Sequence, residues 1–275
     1  MRTESEFPYL VGGTRRSLFP FASAAALLLT ILSVLGLVFP DMVYSSPAEV
    51  EQFLTNDLVN LVVGLPFFLA SLFYLSRGKM IGLLLLPGAY IYAIYNYFAA
   101  LLGKPFDWFG GGNLLLVLLS ASGLIQLVRV VDHHKVKSLM AGKVAEKFSG
   151  WVLALFGLAF LGLALSEIAP GLLDGSIPPL GEKAVAAADI LVSTGWVLGG
   201  ILLLRKEASG YSLGLGLLLA ASSLFLGLIL FFLFAPFISG RAFDWVEVAT
   251  VLVMGMIAFL PTGLFWSGVQ KSFIG

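Results

Sequence analysis

Cysteine is absent from the 275 residues, and histidine occurs only twice, side by side at His133 and His134. The first absence excludes a disulfide framework and thiolate metal sites. The second leaves almost no material for a histidine metal cluster or a histidine-based triad. Charge is scarce as well, at 12% of residues against about 25% in soluble domains. There is no P-loop, no H-E-x-x-H, no G-x-S-x-G and no dinucleotide fingerprint. Arg-rich voltage-sensor helices and a potassium-filter signature are missing too. No hydrophilic segment is long enough for a soluble catalytic domain, and nothing points to nucleic acid. No nucleophile, base and orienter converge, so the sequence supports no enzyme and implies no particular cofactor.

What is present is apolar: 59% hydrophobic residues and a mean hydropathy of +0.99. A soluble fold lacks the interior to hide that much apolar surface, so lipid must solvate it. About 20 apolar residues cross the hydrocarbon, and eight runs qualify: Leu18–Phe39, Leu58–Leu75, Met80–Leu102, Asn113–Val131, Trp151–Leu165, Ala184–Leu204, Tyr211–Phe234 and Trp245–Trp266. The expected fold is an all-α integral membrane protein with eight transmembrane helices. Thr14-Arg15-Arg16-Ser17-Leu18-Phe19 resembles a twin-arginine export signal. The run behind it spans, lacks a small-x-small cleavage site and is followed by more spans, so it reads as a retained first helix with a basic anchor.

Charge supports the count. With a cytoplasmic N-terminus, 13 of the 16 basic residues fall on inner segments and only Lys104, Lys183 and Arg241 fall outside. Of the 16 acidic residues, 5 lie inside and 11 outside, so the inner face carries +8 and the outer face −8. Lysine and arginine resist translocation, which predicts both termini on the cytoplasmic side of the membrane.

Lys104–Trp108 reads K-P-F-D-W, and Arg241–Trp245 reads R-A-F-D-W, 137 residues later. Asp57 and Asp189, at the starts of the second and sixth spans, are 132 apart. These echoes predict two parallel four-helix repeats, residues 1–131 and 150–275, related by an axis along the membrane normal. Residues 132–149 join them as a basic linker. Val136, Leu139, Met140 and Val144 share a helical face there among lysines, which suits either a short helix on anionic inner-leaflet lipid or a solvated loop. Ser46-Pro47-Ala48-Glu49 is a capping box and predicts a short interfacial helix before the second span. Pro178, Pro179 and Gly181 suggest an equivalent start before the sixth.

Asp57 and Asp189 sit where carboxylates cap helices or attract cations. Asp107, Trp108, Asp244 and Trp245 read first as outer-face anchors. In the third span Tyr92, Tyr95 and Asn96 share a face and Tyr90 lies on another with Tyr97. Phenols and an amide in hydrocarbon need partners. Pro66 removes a backbone bond and is expected to kink the second span, freeing carbonyls near residue 62 and close to Asn60. The seventh span, the repeat mate of the third, offers only Ser222 and Ser223. Gly195 and Gly199 form a G-x-x-x-G that predicts close helix packing, and Pro261 with Gly263 predicts a bend in the last span.

The segment Asp57–Pro66, D-L-V-N-L-V-V-G-L-P, followed by the tyrosines from Tyr90 to Tyr97, resembles a group of prokaryotic polytopic membrane proteins of no assigned activity. They share a D-L-V-x-L-V-x-x-x-P segment before a tyrosine-rich helix. The resemblance covers about a third of the chain, and Ile190 and the absence of a proline in the sixth span depart from it. It implies location in a prokaryotic cytoplasmic membrane and no chemistry.

The expected function is small-solute or ion transport, with a pathway formed by Asp57, Asn60, Pro66, Tyr90, Tyr92, Tyr95, Asn96 and Asp189. A non-catalytic sensor, scaffold or assembly partner is the other reading. The topology is testable directly, because the cysteine-free chain accepts single reporters. An impermeant maleimide should label Ser45→Cys in intact cells and Ser138→Cys only after lysis. The reverse pattern would invert the orientation.

Overall fold

The structure is a computed structural model that describes residues 9–11, 15–173, 180–240 and 242–274. It is all-helical, with eight helices long and apolar enough to span a membrane. They are α1 (Phe19–Val38), α2 (Pro47–Ser76), α3 (Met80–Leu102), α4 (Trp108–Val130), α5 (Glu146–Leu173), α6 (Leu180–Leu204), α7 (Ala208–Ile238) and α8 (Trp245–Ile274). Only helices close all their backbone hydrogen bonds within one segment in hydrocarbon, which is why apolar runs of this length fold this way. The protein is thus a multi-pass membrane protein. Arg241, Pro178 and Pro179 lie outside the described residues.

Helix ends follow local chemistry. The Ser46 hydroxyl accepts from Glu49 N–H at 3.3 Å, and the Glu49 carboxylate accepts from Ser45 N–H at 2.9 Å. This box starts α2 itself, so the short helix expected before the second span is fused with it. Two wide turns with five-residue spacing interrupt α2, at Val50–Leu54 and Asn60–Gly64. In the second, Leu65 N–H reaches the Asn60 carbonyl. Pro66 follows at once and supplies no N–H, so the helix accommodates it by widening. Through Pro261, α8 continues as helix; Thr262 there bonds the Ala258 carbonyl at 2.7 Å and Ser222 of α7 at 2.8 Å.

Connections contact one another end by end. Lys104 before α4 bonds the Val43 carbonyl after α1 at 2.9 Å. At the other end Val11 N–H bonds the Val130 carbonyl at 2.7 Å, and Lys206 pairs with Glu146 at 3.1 Å. We call these the acidic and basic ends, after the charges their connections carry.

Small residues set the packing. Without a hydrophobic drive between helices in lipid, close backbone approach has to supply the attraction. A side-chain carbon at Gly88 of α3 would lie 2.6 Å from the Gly216 carbonyl of α7, and one at Gly216 would lie 2.7 Å from Pro87. Between α5 and α6 the contact uses Gly150 and Ala154 against Gly200, and Gly157 against Ser193 and Val197. Gly195 of the expected G-x-x-x-G faces open space, and Gly199 packs on Leu217. The most buried span is α3, which touches α2, α4, α6 and α7.

The basic linker forms a helix over His133–Met140, capped by Asp132, whose side chain accepts from Lys135 N–H at 2.9 Å. Its apolar stripe, Val136, Met140 and the following Val144, is buried against α7 and α8, so bundle rather than lipid covers it. His133 ties it further to Ser212 of α7 and the Val128 carbonyl.

The glycine contacts predict an uneven response to added carbon. Gly216→Leu should lower the melting temperature of the purified protein, reflecting an overpacking cost of about 1–3 kcal/mol. Gly111→Ala and Gly263→Ala, which face open space, should leave it within error.

Candidate functional site

Two polar assemblies occupy the acidic half of the bundle. The first belongs to α1, α2 and α3. Tyr44, in the loop after α1, donates a short hydrogen bond to the buried Asp57 carboxylate of α2. Ser33 of α1 is a further polar neighbour of Asp57, and its hydroxyl pairs with that of Tyr97 at 2.8 Å. Tyr97 interacts with Asn60, and Asn60 accepts from Tyr92 at 3.1 Å. Gly36 makes room for this cluster, since a side-chain carbon there would overlap the Asp57 carboxylate. Asp57 also feels the positive field of Lys104. A small cavity of about 20 Å³ adjoins Asp57, Asn60 and Asn113; that is room for about one water. Both amide atoms of Asn113 are buried without a partner among the described residues.

Lys104 anchors the acidic-end corner. Its side chain is 4% exposed, bonds the Val43 carbonyl and the Asp107 carboxylate at 2.9 Å each, and lies 4.9 Å from the Phe109 ring centre. Asp107 in turn caps α4 by accepting from Gly110 N–H at 2.6 Å. Burial pushes the Asp107 carboxyl up, but the Gly110 amide and the Lys104 ammonium outweigh it and hold it below the ordinary carboxylate range. Tyr44 shifts the other way: burial, then the neighbouring Asp57 charge, push its hydroxyl far up, so it remains a donor.

The second assembly is a cavity of about 340 Å³, at the lower end of the size range for small-molecule sites. Its polar wall is Gln52 and Asn56 of α2, Tyr95 and Asn96 of α3, and Asp189 of α6. Tyr95 donates to Asp189 at 2.9 Å, and Asn96 Nδ2 donates to its own helix at the Tyr92 carbonyl, 3.0 Å away. Much of the remaining lining is aromatic: Phe53 of α2, Phe160 of α5, Trp196 of α6, and Phe225 and Phe231 of α7. Phe160, Trp196 and Phe225 pack edge to face, with ring centres 5.7–6.1 Å apart. The Trp196 indole N–H is buried and has no partner among the described residues.

The structure therefore divides the residues singled out from the sequence. Tyr92, Tyr95, Asn96 and Asp189 line the large cavity. Asp57 and Asn60 line the small one, which shares Phe53, Asn56 and Asn96 with its neighbour. Tyr90 sits elsewhere, with its ring against Gly123 of α4 and edge-on to Phe68. Pro66 points out of the bundle, and its effect reaches the site only through the wide turn that holds Asn60. Asp107 is a cap beneath the 58%-exposed Trp108. Asp244 accepts from Val246 N–H at 2.7 Å beside Trp245, which is 73% exposed. Sequence reasoning missed Ser33, Tyr44, Gln52 and the aromatic lining. Nothing in an unbroken apolar run distinguishes Phe225 from Phe232.

No protein-family model matches the chain. Comparison with curated proteins and with solved structures found no match either.

The Asp107 corner carries a pH dependence with a definite sign. Its carboxyl is lowered on folding, so its stabilising contribution is complete above the unfolded value, ordinarily 3.8, and is lost as pH falls through the folded value. Asp107→Asn, which keeps a capping side chain, should be less stable than the wild type near neutral pH. The gap should close as pH drops below about 4, as read by thermal unfolding across a pH series.

Proposed function

We propose that the protein moves a small solute or ion across the membrane through the cavity between its two halves. The observation that carries this reading is the cavity itself: α2 and α3 on one side and α5, α6 and α7 on the other contribute its walls. Polar groups gathered between helices in lipid are expensive and mark pathways more often than packing. The membrane is the prokaryotic cell membrane, with both termini cytoplasmic and the basic linker facing the anionic inner leaflet. Here the lysines of the linker, not its apolar stripe, meet the lipid headgroups. The sensor or scaffold reading has no comparable observation behind it.

A parallel duplication supports alternating access. Helix neighbours follow the same order in each half: first to second, second to third, third to fourth and fourth to first. The turn after α2 and the turn after α6 match at a spacing of 128. Gly78 and Lys206 have φ of 68° and 55°. Their N–H groups each bond a leucine carbonyl, Leu75 and Leu203, at 3.0 Å. Gly82 backs onto Leu75 as Gly210 backs onto Leu203, and the Gly88–Gly216 contact joins equivalent positions. Neither this register nor one shifted by the residue that the wide turn at Asn60–Gly64 adds to α2 pairs Asp57 with Asp189, so the two aspartates are not repeat mates.

A filled cavity tests the reading. Ala99→Trp, on the cavity wall, should reduce solute uptake at least about tenfold in proteoliposomes screened with a panel of amines, sugars, amino acids and inorganic ions. Phe237→Leu, at an 85%-exposed position near the end of α7, should not. A wild-type protein that moves nothing in the panel, or uptake indifferent to Ala99→Trp, would sink it.

A further inference from the structure

We propose that the large cavity binds an organic cation with an apolar, preferably aromatic, body. This rests on the reading of the cavity as the solute site and names the class of solute. Its lining includes one charged side chain, the carboxylate of Asp189, and no lysine, arginine or histidine. Asp189 has no ion-pair partner among the described residues; its hydrogen-bond partner is the neutral Tyr95 hydroxyl. The other charge acting on it is Glu167, of the same sign. Asp57 differs, because the Lys104 ammonium lies within its field. A half-buried carboxylate next to a second negative charge, with no cation beside it among the described residues, lacks the counter-charge that stabilises it. The neighbouring oxygen-bearing groups, Gln52, Asn56 and Asn96, offer carbonyls to an ammonium's N–H groups.

The aromatic part of the lining decides between an inorganic and an organic cation. Phe160, Trp196, Phe225 and Phe231 offer rings and no ligating oxygen, so a metal ion would leave most of the cavity without a partner. Aromatic faces attract cations and bury apolar groups at the same time. A ligand with its ammonium at Asp189 and its body along α7 satisfies both parts of the lining. The volume of about 340 Å³ excludes a bare ion as the natural fit and admits a small arylalkylamine.

The test is direct binding to the purified, detergent-solubilised chain, so that it does not depend on transport. The probes are 2-phenylethylammonium, the neutral 2-phenylethanol and the anionic phenylacetate, three ligands of near-equal shape. The expected result is saturable binding of the amine, at least about tenfold tighter than either isostere. Asp189→Asn should weaken the amine about tenfold or more while leaving the alcohol unchanged. Asp189→Glu should recover much of the loss, which separates charge from folding. Trp196→Leu should weaken the amine several-fold with the carboxylate intact. The inference is overturned if the amine does not bind saturably, if the alcohol binds as well as the amine, or if Asp189→Asn leaves amine binding unchanged. Amine binding without uptake of any solute into proteoliposomes would uphold the cation site and remove the transport reading. Uptake of neutral solutes without amine binding would do the opposite.

Discussion

The backbone contact between α3 and α7 at Gly88 and Gly216 organises the bundle. Lipid removes the hydrophobic reason for helices to associate, so two spans hold together where small residues let their backbones meet. At that level no side chain fits between them. One turn further toward the acidic end, α3 presents Tyr92, Tyr95 and Asn96, and α7 presents Leu224, Phe225 and Leu228 two to three turns beyond Gly216. The same two helices that touch at the glycines therefore enclose the cavity, and α2 and α6 close its sides. Closure at one level and a pocket at the next are consequences of residue size along a single helix pair.

The polar groups withdrawn from lipid fall into two kinds of environment. Around Asp57, donors converge from three elements: the Tyr44 hydroxyl, the Ser33 hydroxyl, and the field of Lys104, itself held by the Val43 carbonyl and Asp107. That assembly satisfies the Asp57 carboxylate internally and ties the loop after α1 to the start of α4. Asp189 has one neutral donor and no cation among the described residues. The difference is electrostatic rather than positional, since both aspartates lie in the acidic half of the bundle. A matched carboxylate stabilises a corner, whereas an unmatched one facing open volume is available to a ligand.

The two helices that meet at the glycines present different side chains to the cavity. α3 carries hydroxyls and an amide at the cavity, and α7 carries phenyl rings and leucines. The wide turns of α2 have no counterpart in α6, which runs as regular helix from Leu180 to Leu204. Each wide turn adds a residue to the helix and rotates what precedes it. That displacement brings Asn60 within reach of Tyr92 and lets Gln52 and Asn56 face the cavity. The result is a lining in which α2 and α3 supply most of the polar groups, α6 supplies Asp189, and α5, α6 and α7 supply most of the rings.

Much of the architecture was legible before any coordinates. Eight apolar runs, each long enough to cross a bilayer, are a matter of length and composition, and hydrocarbon admits no other backbone solution for them. The Ser46 and Asp107 caps were equally readable, because a cap depends on residues within a few positions of each other. The faces of the helices were not. Helices apolar all round carry no stripe to say which side meets protein and which meets lipid, so Tyr90 and Tyr92 read alike although one packs on Gly123 and the other reaches Asn60. The partnership of Tyr95 with Asp189 joins residues 94 apart, and the stripe of the linker helix could have met lipid as readily as α7. Sequence alone determined that the chain crosses the membrane and how many times, because that depends on local apolar length. Tertiary structure alone decided which polar groups face one another, because that depends on how helices without an amphipathic face rotate against their neighbours.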